Sequence, residues 1–373
     1  MRVVLVGKYY HPYMGGIENH LRVIAREVGS EVDLDIVVSN KDRRTQRDVV
    51  DGIPVTRCGS FGHLASIEAT PSMALELSRR RYDVLHLHLP HPVGAATYLA
   101  SLKPKGHRLI VSYHADVYRQ LRLNRLYEPL VMRLLRRADK IIATSPQLLE
   151  NSDVLTKFRE KVRIVPYGID LEQFSARPAE EEAARRIRER HGNGPLLLGI
   201  GRLIYYKGFE YAIRALEEVR EAKLLLIGDG PLRADLEALA RRCGVADRVV
   251  FVGEVLNELV TPYYLASDAY VMPSIARSEA FGIVQIEAMA CGLPVINTAI
   301  DSGVPFVSLD GETGLTVPPH DPSALAGAIR RLLAEPGLRS RFGAAGRVRA
   351  HAEFSKGTLK RRLLAIYRGG EPD

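Results

Sequence analysis

Short, continuously apolar runs alternate with helix-like segments along this sequence, and the alternation occurs twice. In the first half the runs are RVVLVG (2–7), LDIVVS (34–39), DVLHLH (83–88), LIVSYH (109–114), KIIATS (140–145) and VRIVP (162–166). In the second half they are PLLLGIGR (195–202), KLLLIGDG (223–230), RVVFVG (248–253), AYVMPS (269–274) and LPVINT (293–298). Such runs are typical of parallel strands covered on both faces. The sequence therefore predicts an α/β fold of two Rossmann-like, doubly wound domains that face a cleft.

The domain boundary is predicted from a change in composition. Residues 169–194 include a charged, weakly apolar segment closed by Gly-Asn-Gly, and we interpret them as a linker. This gives an N-terminal domain over 1–168, a C-terminal domain over 195–354 and a last helix within 355–373.

Composition limits the compartment and the partners. The three cysteines are scattered, which fits a reducing compartment. No apolar window is long enough to span a bilayer, and the N-terminal run is too short for a signal peptide. We therefore expect a cytoplasmic protein. The net charge of +8 is compatible with nucleic acid, an anionic membrane surface or a phosphorylated substrate.

Two basic residues follow the first strand of the second half. Arg202 and Lys207 lie five positions apart in a loop that opens a helix near Gly208. Two cations beside a helix N-terminus can bind a pyrophosphate. The alternative is an ordinary solvated loop at a strand end.

Two acids follow the strand AYVMPS. Glu279 lies in a loop, and Glu287 lies eight positions later, inside the helix that Phe281 and Gly282 open. Carboxylates so separated can hold hydroxyl groups at different parts of one ligand, while the helix N-terminus meets a phosphate. The alternative is a pair of solvent-facing acids, although the apolar neighbours of Glu287 give that helix no polar face.

Glycines precede the first helix. Gly15 and Gly16 permit a close backbone approach to an anion, or they form a simple turn. The segment lacks the third glycine of a GxGxxG motif, which counts against a nicotinamide enzyme.

Taken together, these segments resemble glycosyltransferase family 4, whose members are retaining enzymes of the GT-B fold with an E-x7-E signature. The resemblance covers nearly the whole chain. Its motifs are YYHPYMGGIENH (9–20), SYHAD (112–116), TSPQL (144–148), VPYGIDLEQF (165–174), GRLIYYKG (201–208), LLIGDGP (225–231), VFVGEV (250–255), SEAFGIVQIEAMACGLPVI (278–296) and GETGLTVPPHDP (311–322).

The resemblance implies a role for each site residue. Arg202 and Lys207 would bind the diphosphate of a nucleotide sugar, and Glu287 the ribose. The donor sugar and distal phosphate would be held by Glu279, Phe281, Gly282 and Ile283, with Gly16 near the same phosphates and His114 near the reacting carbon. The base would be covered by 252–255, through Val252, Gly253 and Val255, and the last helix would pack on the first domain. We also expect loss of Lys207 to reduce turnover far more than stability.

No metal or other cofactor is expected. The one Asp-x-Asp, DLD (33–35), begins a strand instead of ending one, which is the wrong sheet end for catalysis. The charge of the departing diphosphate would then be stabilised by fixed cations and helix N-termini. A UDP-sugar is favoured over a GDP-sugar as the donor.

Much of the first domain's positive charge lies in 117–140, which carries seven Lys or Arg and two acids. Pro129 is predicted to split this stretch into two short helices. Arg133, Arg136 and Arg137 fall on one side of the second helix. The stretch either rests on an anionic membrane, on the inner face of the plasma membrane, or is a solvated helix face. Aromatic residues are almost absent from it, so nucleic-acid binding is not expected.

The sequence thus predicts a retaining hexosyltransferase acting on a glycan or lipid-linked acceptor in cell-surface polysaccharide assembly. A nucleotide-sugar epimerase or hydrolase on the same fold, and a non-catalytic nucleotide-sugar-binding subunit, stay open as alternatives. His86, His88 and His91 in HLHLPHP are expected to line an acceptor pocket or to pack structurally, in preference to binding a metal.

Overall fold

The chain forms two compact α/β units. The computed structural model describes residues 1–13, 15–61, 63–64, 67–115, 121–192 and 194–373. One unit comprises Met1–Ile169 together with Lys356–Asp373, and the other comprises Asp170–Ser355. In the described residues, no helix is both long and apolar enough to cross a membrane.

The first unit is built on an eight-stranded sheet within the described residues. Its strands are β1 (Arg2–Gly7), β2 (Asp33–Ser39), β3 (Gln46–Val50), β4 (Ile53–Cys58), β7 (Val84–Leu89), β8 (Arg108–Tyr113), β9 (Lys140–Ala143) and β10 (Val162–Ile164). Their order is β10-β9-β8-β7-β1-β2-β4-β3, and β3 alone pairs antiparallel. The short strands β5 (His63–Leu64) and β6 (Ile67–Glu68) pair separately.

Both faces of this sheet are covered, as its continuously apolar strands predict. Along β1, Val4 and Val6 pack into one buried cluster, whereas Val3 and Leu5 pack into another on the opposite face. The helices that cover the sheet are α1 (Gly16–Val28), α2 (Ser72–Ser78), α3 (Pro92–Ala100), α4 (Leu121–Arg137), α5 (Pro146–Glu150) and the last helix, α14 (Lys356–Tyr367). Residues of α14 lie in the same cluster as Val3 and Leu5.

The second unit has a six-stranded, fully parallel sheet. Its strands are β11 (Leu196–Ile200), β12 (Lys223–Ile227), β13 (Val249–Gly253), β14 (Ala269–Val271), β15 (Val295–Thr298) and β16 (Gly314–Val317). Its helices are α6 (Pro178–His191), α7 (Phe209–Ala215), α8 (Arg233–Arg242), α9 (Thr261–Ala266), α10 (Ile283–Ala290), α11 (Val304–Val307), α12 (Pro322–Ala334) and α13 (Pro336–Phe354). The strand order is β13-β12-β11-β14-β15-β16, which is the dinucleotide-fold order with its reversal between β11 and β14.

Residues 169–194 differ from the linker interpretation. Most of the segment is α6, which belongs to the second unit. Arg188 donates to Asp268 at 2.7 Å, and Ala184 is buried. The Arg188–Asp268 ion pair and the buried Ala184 tie this highly charged helix to the unit.

The stretch containing Pro129 forms one helix, α4, and the prediction of two short helices is wrong. A proline inside a helix costs about 3 kcal/mol. Burial of Val131, Leu134 and Leu135 offsets that cost, because these side chains are almost fully removed from water. Residues 117–120 lie outside the described part of the chain.

Candidate functional site

The reversal of strand order in the second unit places two loops side by side. The loop 201–208 follows β11 and the loop 272–282 follows β14, and these strands are neighbours in the sheet. The backbone N–H of Ile275 donates to the Tyr206 carbonyl at 2.9 Å. This is the crevice where open α/β sheets bind ligands.

Gly208 lets these loops approach closely. Its φ is +65°, and a Cβ at this position would lie 2.0 Å from the Pro273 carbonyl oxygen. Any other residue would both strain the left-handed backbone and collide with the neighbouring loop. The preceding residue, Lys207, is thereby held against residues that follow β14.

Lys207 and Glu279 form a largely buried ion pair. The Lys207 Nζ lies 2.5 Å from Glu279 Oε2, and each side chain is 12% exposed. Apart from this ion pair, Oε2 has no hydrogen-bond partner among the described residues. Removing one member of a buried pair leaves an uncompensated charge. We therefore expect loss of Lys207 to lower stability as well, and the expectation that it reduces turnover far more than stability stays a prediction.

Arg202 is exposed and forms no ion pair with any described residue, so its guanidinium is available to a ligand. Its loop packs on the loop that follows β12. A Cβ at Gly228 would lie 2.2 Å from the Gly201 carbonyl oxygen, and one at Gly230 would lie 2.5 Å from that of Leu203. The sequence analysis did not assign these two glycines to the site, although a GDG motif directly after an apolar strand indicated them.

The helix α10 starts at the same edge. Gly282 precedes it with a φ of +76°, and the first N–H groups of a helix have no intrahelical acceptor. The ring of Phe281 is buried against Phe306 and Phe354, with centroids 6.4 and 6.1 Å away. Only the backbone of Phe281 is thus suited to contact a ligand, beside that of Ile283.

Glu287 lies inside α10, and its carboxylate accepts a hydrogen bond from a buried tyrosine. The Tyr264 hydroxyl donates to Glu287 Oε2 at 2.7 Å, and Tyr264 is buried. Burial raises the pKa of Glu287 to about 7, while the Tyr264 hydrogen bond and the charge of Lys207 lower it. Tyr264 was missed, because nothing in the sequence pairs it with a residue 23 positions away.

The segment 252–255 lies at the end of β13, on the far side of β12 from Arg202. Val252 and Val255 are partly exposed, and Gly253 has a φ of +86°. The Gly253 carbonyl accepts from the backbone N–H of Gly228 at 2.8 Å. This strand end therefore lies beside the loop that follows β12, which itself packs on the loop of Arg202.

Gly16 and His114 lie in the first unit. Gly16 opens α1, and a Cβ there would have nothing within 4 Å. The fold of the unit therefore does not require a glycine at this position. His20, one turn along α1, packs edge-on against His114 with ring centroids 5.4 Å apart, so the start of α1 and His114 are neighbours.

His114 belongs to a buried hydrogen-bonded network. Its Nε2 lies 3.0 Å from His88 Nδ1, and its Nδ1 lies 3.0 Å from the Tyr167 hydroxyl. A contact from either ring nitrogen to a sugar requires one of these partners to be released. His86 bridges the Tyr367 hydroxyl of α14 at 2.7 Å and Ser112 Oγ at 2.8 Å. His86 and His88 thus pack structurally. This is one of the two roles expected from the sequence, the other being to line an acceptor pocket.

Burial keeps the histidines neutral. It lowers the pKa of His86 and His91 to about 3 and that of His114 to about 4, and it holds those of His20 and His88 well below the usual range. In the described residues, no three His, Cys, Asp or Glu side chains are grouped as a metal site. Metal independence stays a prediction.

Two family models match the chain in succession. The model of Glycosyltransferase Family 4 matches residues 14–173, and that of Glycosyl transferases group 1 matches residues 180–349. The first match falls in the first unit apart from its last few residues, and the second lies within the second unit.

Curated relatives and a solved structure extend over nearly the whole length. The D-rhamnosyltransferase WbpZ of Pseudomonas aeruginosa is 33% identical, covering 92% of this chain and 89% of the relative. The O-antigen chain mannosyltransferase C of Escherichia coli is 31% identical, covering 95% of each. The sucrose-phosphate synthase of Thermosynechococcus elongatus superimposes with a TM-score of 0.76 at 25% identity, covering 99% of this chain and 98% of that one. The chain therefore belongs to glycosyltransferase family 4, and its two parallel-sheet units are those of the GT-B fold.

Proposed function

We propose that this protein transfers a hexosyl unit from a nucleoside diphosphate sugar to a glycan or lipid-linked acceptor in cell-surface polysaccharide assembly. The transfer retains the anomeric configuration and uses no divalent metal. The observation that carries the proposal is the ion pair of Lys207 and Glu279 at the reversal of strand order, beside exposed Arg202. The two curated relatives are a rhamnosyl- and a mannosyltransferase, which supports a hexose as the transferred group.

The chemistry calls for positive charge at this position. Breaking the anomeric C–O bond leaves an oxocarbenium-like carbon and a nucleoside diphosphate with additional negative charge. Arg202, Lys207 and the N-terminus of α10 would stabilise that charge as it develops. Each such contact contributes on the order of 2–4 kcal/mol to the transition state.

The acids would orient the donor. Glu279, already paired with Lys207, would accept from a sugar hydroxyl and fix the sugar relative to the diphosphate. Glu287 would accept from the ribose hydroxyls, and the strand end at 252–255 would cover the base. His114 stays a predicted contact of the donor sugar. A uracil base stays a prediction to be tested against guanine and adenine.

Turnover of labelled UDP-, GDP- and ADP-hexoses tests the function directly. The assay uses a mannoside on a short alkyl chain and one on a prenyl diphosphate as acceptors, and the product anomer is identified by NMR. The proposal predicts transfer that requires an acceptor and gives the anomer of the donor. Acceptor-independent release of sugar, epimerisation, or binding without turnover would each contradict it.

Replacing Gly16 by alanine is expected to separate stability from activity. Since a Cβ here meets no atom within 4 Å, alanine should leave the free energy of unfolding unchanged or raise it by up to about 1 kcal/mol. The same methyl group would stand where a phosphate approaches, so kcat/KM should fall about tenfold or more.

Gly337 supplies the control for this change. It lies in the first turn of α13, and its Cβ would also meet nothing within 4 Å. Gly337→Ala should leave kcat/KM unchanged and, like Gly16→Ala, should leave the free energy of unfolding unchanged or raise it by up to about 1 kcal/mol. Unaltered kcat/KM in Gly16→Ala would remove Gly16 from the donor site.

A membrane-bound acceptor would fit the surface of α4. Arg133, Arg136 and Arg137 are exposed on the side opposite to its buried leucines. Flotation at low salt should show wild-type protein bound to phosphatidylglycerol vesicles and a variant with these three arginines changed to glutamate released from them. Each basic residue near an anionic surface contributes about 1 kcal/mol. Failure of both proteins to float would count against a membrane site.

A further inference from the structure

A strongly basic cavity lies in the first unit, at the edge of the sheet opposite to Gly16 and His114. Its volume is about 710 Å³, in the range of ligand pockets. The cavity is lined by six basic side chains, Arg2, Arg79, Arg80, Arg81, Lys103 and Lys105. Asp83, at the start of β7, is the one carboxylate lining it among the described residues. The length of a six-residue strand, roughly 20 Å, separates it from the carboxyl ends of the strands.

Half of these charges are already satisfied within the unit. Arg80 pairs with Glu76 at 2.7 Å, and Arg2 pairs with Asp33 at 3.3 Å. Lys103 donates to backbone carbonyls, including that of Ser101 at 2.6 Å, and its burial lowers its pKa. These contacts fix the walls of the cavity.

The charges of the other three basic side chains are not neutralised by an ion pair with the described residues. Arg79, Arg81 and Lys105 are exposed, and they form no ion pair with any residue the structure describes. Three exposed like charges around one cavity create a positive potential that attracts anions. The arrangement is therefore suited to an anionic ligand.

The cavity is held in shape by its two loops. The backbone N–H of Leu102 donates to Ser78 Oγ at 2.9 Å, which ties the segment 101–105 to the segment 78–83. The Leu102 side chain is 78% exposed at the rim. An exposed apolar residue beside unpaired arginines is the combination that contacts both the acyl region and the headgroups of a bilayer.

We propose that this cavity binds phosphate groups, with Arg79, Arg81 and Lys105 as ion-pair partners. The phosphate is either a lipid headgroup or part of a soluble polyphosphate. The site is separate from the transfer chemistry in the second unit. Its test measures binding and not turnover, so its failure would leave the proposed transferase function intact.

The main test compares two charge-reversed triple variants. The cavity variant is Arg79→Glu/Arg81→Glu/Lys105→Glu. The control is Arg220→Glu/Arg241→Glu/Arg242→Glu, which changes three exposed arginines in the second unit that form no ion pair with the described residues. Both variants carry the same net charge, and both keep the diphosphate-binding residues of the second unit.

The soluble arm titrates tripolyphosphate calorimetrically and follows hydrogen exchange of 78–83 and 101–105. Wild type and control should bind with slowed exchange in both segments, and the cavity variant should bind at least about tenfold more weakly.

The vesicle arm measures flotation with phosphatidylglycerol, and Leu102→Asn identifies the source of the phosphate. Loss of flotation in Leu102→Asn with tripolyphosphate binding retained would assign the site to a lipid headgroup. Tripolyphosphate binding with no difference in flotation between cavity variant and control would assign it to a soluble ligand. Equal behaviour of cavity variant and control in both arms, or unchanged exchange in both segments, would overturn the proposal.

Discussion

Replacing Lys207 by methionine is expected to lower kcat by 10² to 10³ and to destabilise the protein by about 3 kcal/mol. The loss of activity follows from the proposed role of Lys207, because the variant removes one cation that would stabilise the departing diphosphate. The loss of stability follows because Glu279, with its carboxylate 2.5 Å from the Lys207 Nζ and 12% exposed, is left buried without its partner. Methionine keeps most of the aliphatic stem that packs across Gly201.

Adding Glu279→Gln separates these two effects. The double variant Lys207→Met/Glu279→Gln buries no unpaired charge, so its free energy of unfolding should return to within about 1 kcal/mol of wild type. Its kcat should stay low, because the cation is still missing. The four proteins to compare are wild type, Lys207→Met, Glu279→Gln and the double variant. Denaturant unfolding measures the free energy of unfolding of each, and steady-state kinetics measures its kcat.

Arg188 provides a matched control in the same unit. It pairs with Asp268 at 2.7 Å, next to the start of β11 and away from the loops of the site. Arg188→Met should destabilise the protein while leaving kcat unchanged at temperatures where it is folded. If the double variant regained activity together with stability, Lys207 would act only through the fold.

Replacing Glu287 by glutamine is expected to stabilise the free protein and to weaken donor binding. The carboxyl has its pKa raised from 4.5 to about 7 by burial. Glutamine keeps an acceptor for the Tyr264 hydroxyl but carries no charge. It should therefore raise the free energy of unfolding by about 1–3 kcal/mol at pH 8, the lower end allowing for partial exposure of the side chain.

The pH dependence of that gain has a definite sign. Between pH 4.5 and 7 the native state holds a proton that the unfolded chain has released, so wild type loses stability as the pH rises through this window. The variant lacks the group, so the difference between the two proteins should grow from near zero below pH 4.5 to its full size above pH 7.

Donor binding should change in the opposite direction. In the proposed role of Glu287, ribose hydroxyls would donate to the ionised carboxylate, so wild-type affinity for a nucleotide sugar should rise with pH up to about 7 and then level off. The Glu287→Gln variant should bind about tenfold to hundredfold more weakly and lack this step. Nucleotide sugars are the right probe because their diphosphate does not titrate near neutral pH. Glu221→Gln, an exposed acid in the same unit, is the control, and equal donor affinity in all three proteins would contradict the assigned role.

The sheets were predictable where burial on both faces leaves a continuous apolar run. Each of the predicted runs contains a strand, and DLD begins β2 as expected. The strands β4 and β3, at one edge of the first sheet, contain no such continuous apolar run. β3 is almost entirely exposed, and β4 contains Pro54 and the polar pair Thr56 and Arg57. Arg57 is buried against Asp48 of β3 at 2.7 Å, a tertiary contact that no local pattern encodes.

The candidate site was predictable in its residue types but not in its pairings. A position just after a parallel strand places a residue at the ligand-binding edge, and this was sufficient to single out Arg202, Lys207 and Glu279. That Lys207 and Glu279 neutralise each other depends on the adjacency of β11 and β14, which are far apart in sequence. The shift in the Glu287 pKa likewise depends on packing that only the folded unit creates.

We propose that fixed cations and a helix N-terminus, with no divalent ion, stabilise the departing nucleoside diphosphate. Hexosyl transfer by the purified protein, measured after exhaustive chelation and again with added manganese, tests it most directly. We expect the same kcat under both conditions, and a kcat lower by 10² or more in Lys207→Met/Glu279→Gln under either condition. Activity abolished by the chelator and restored by manganese would contradict it.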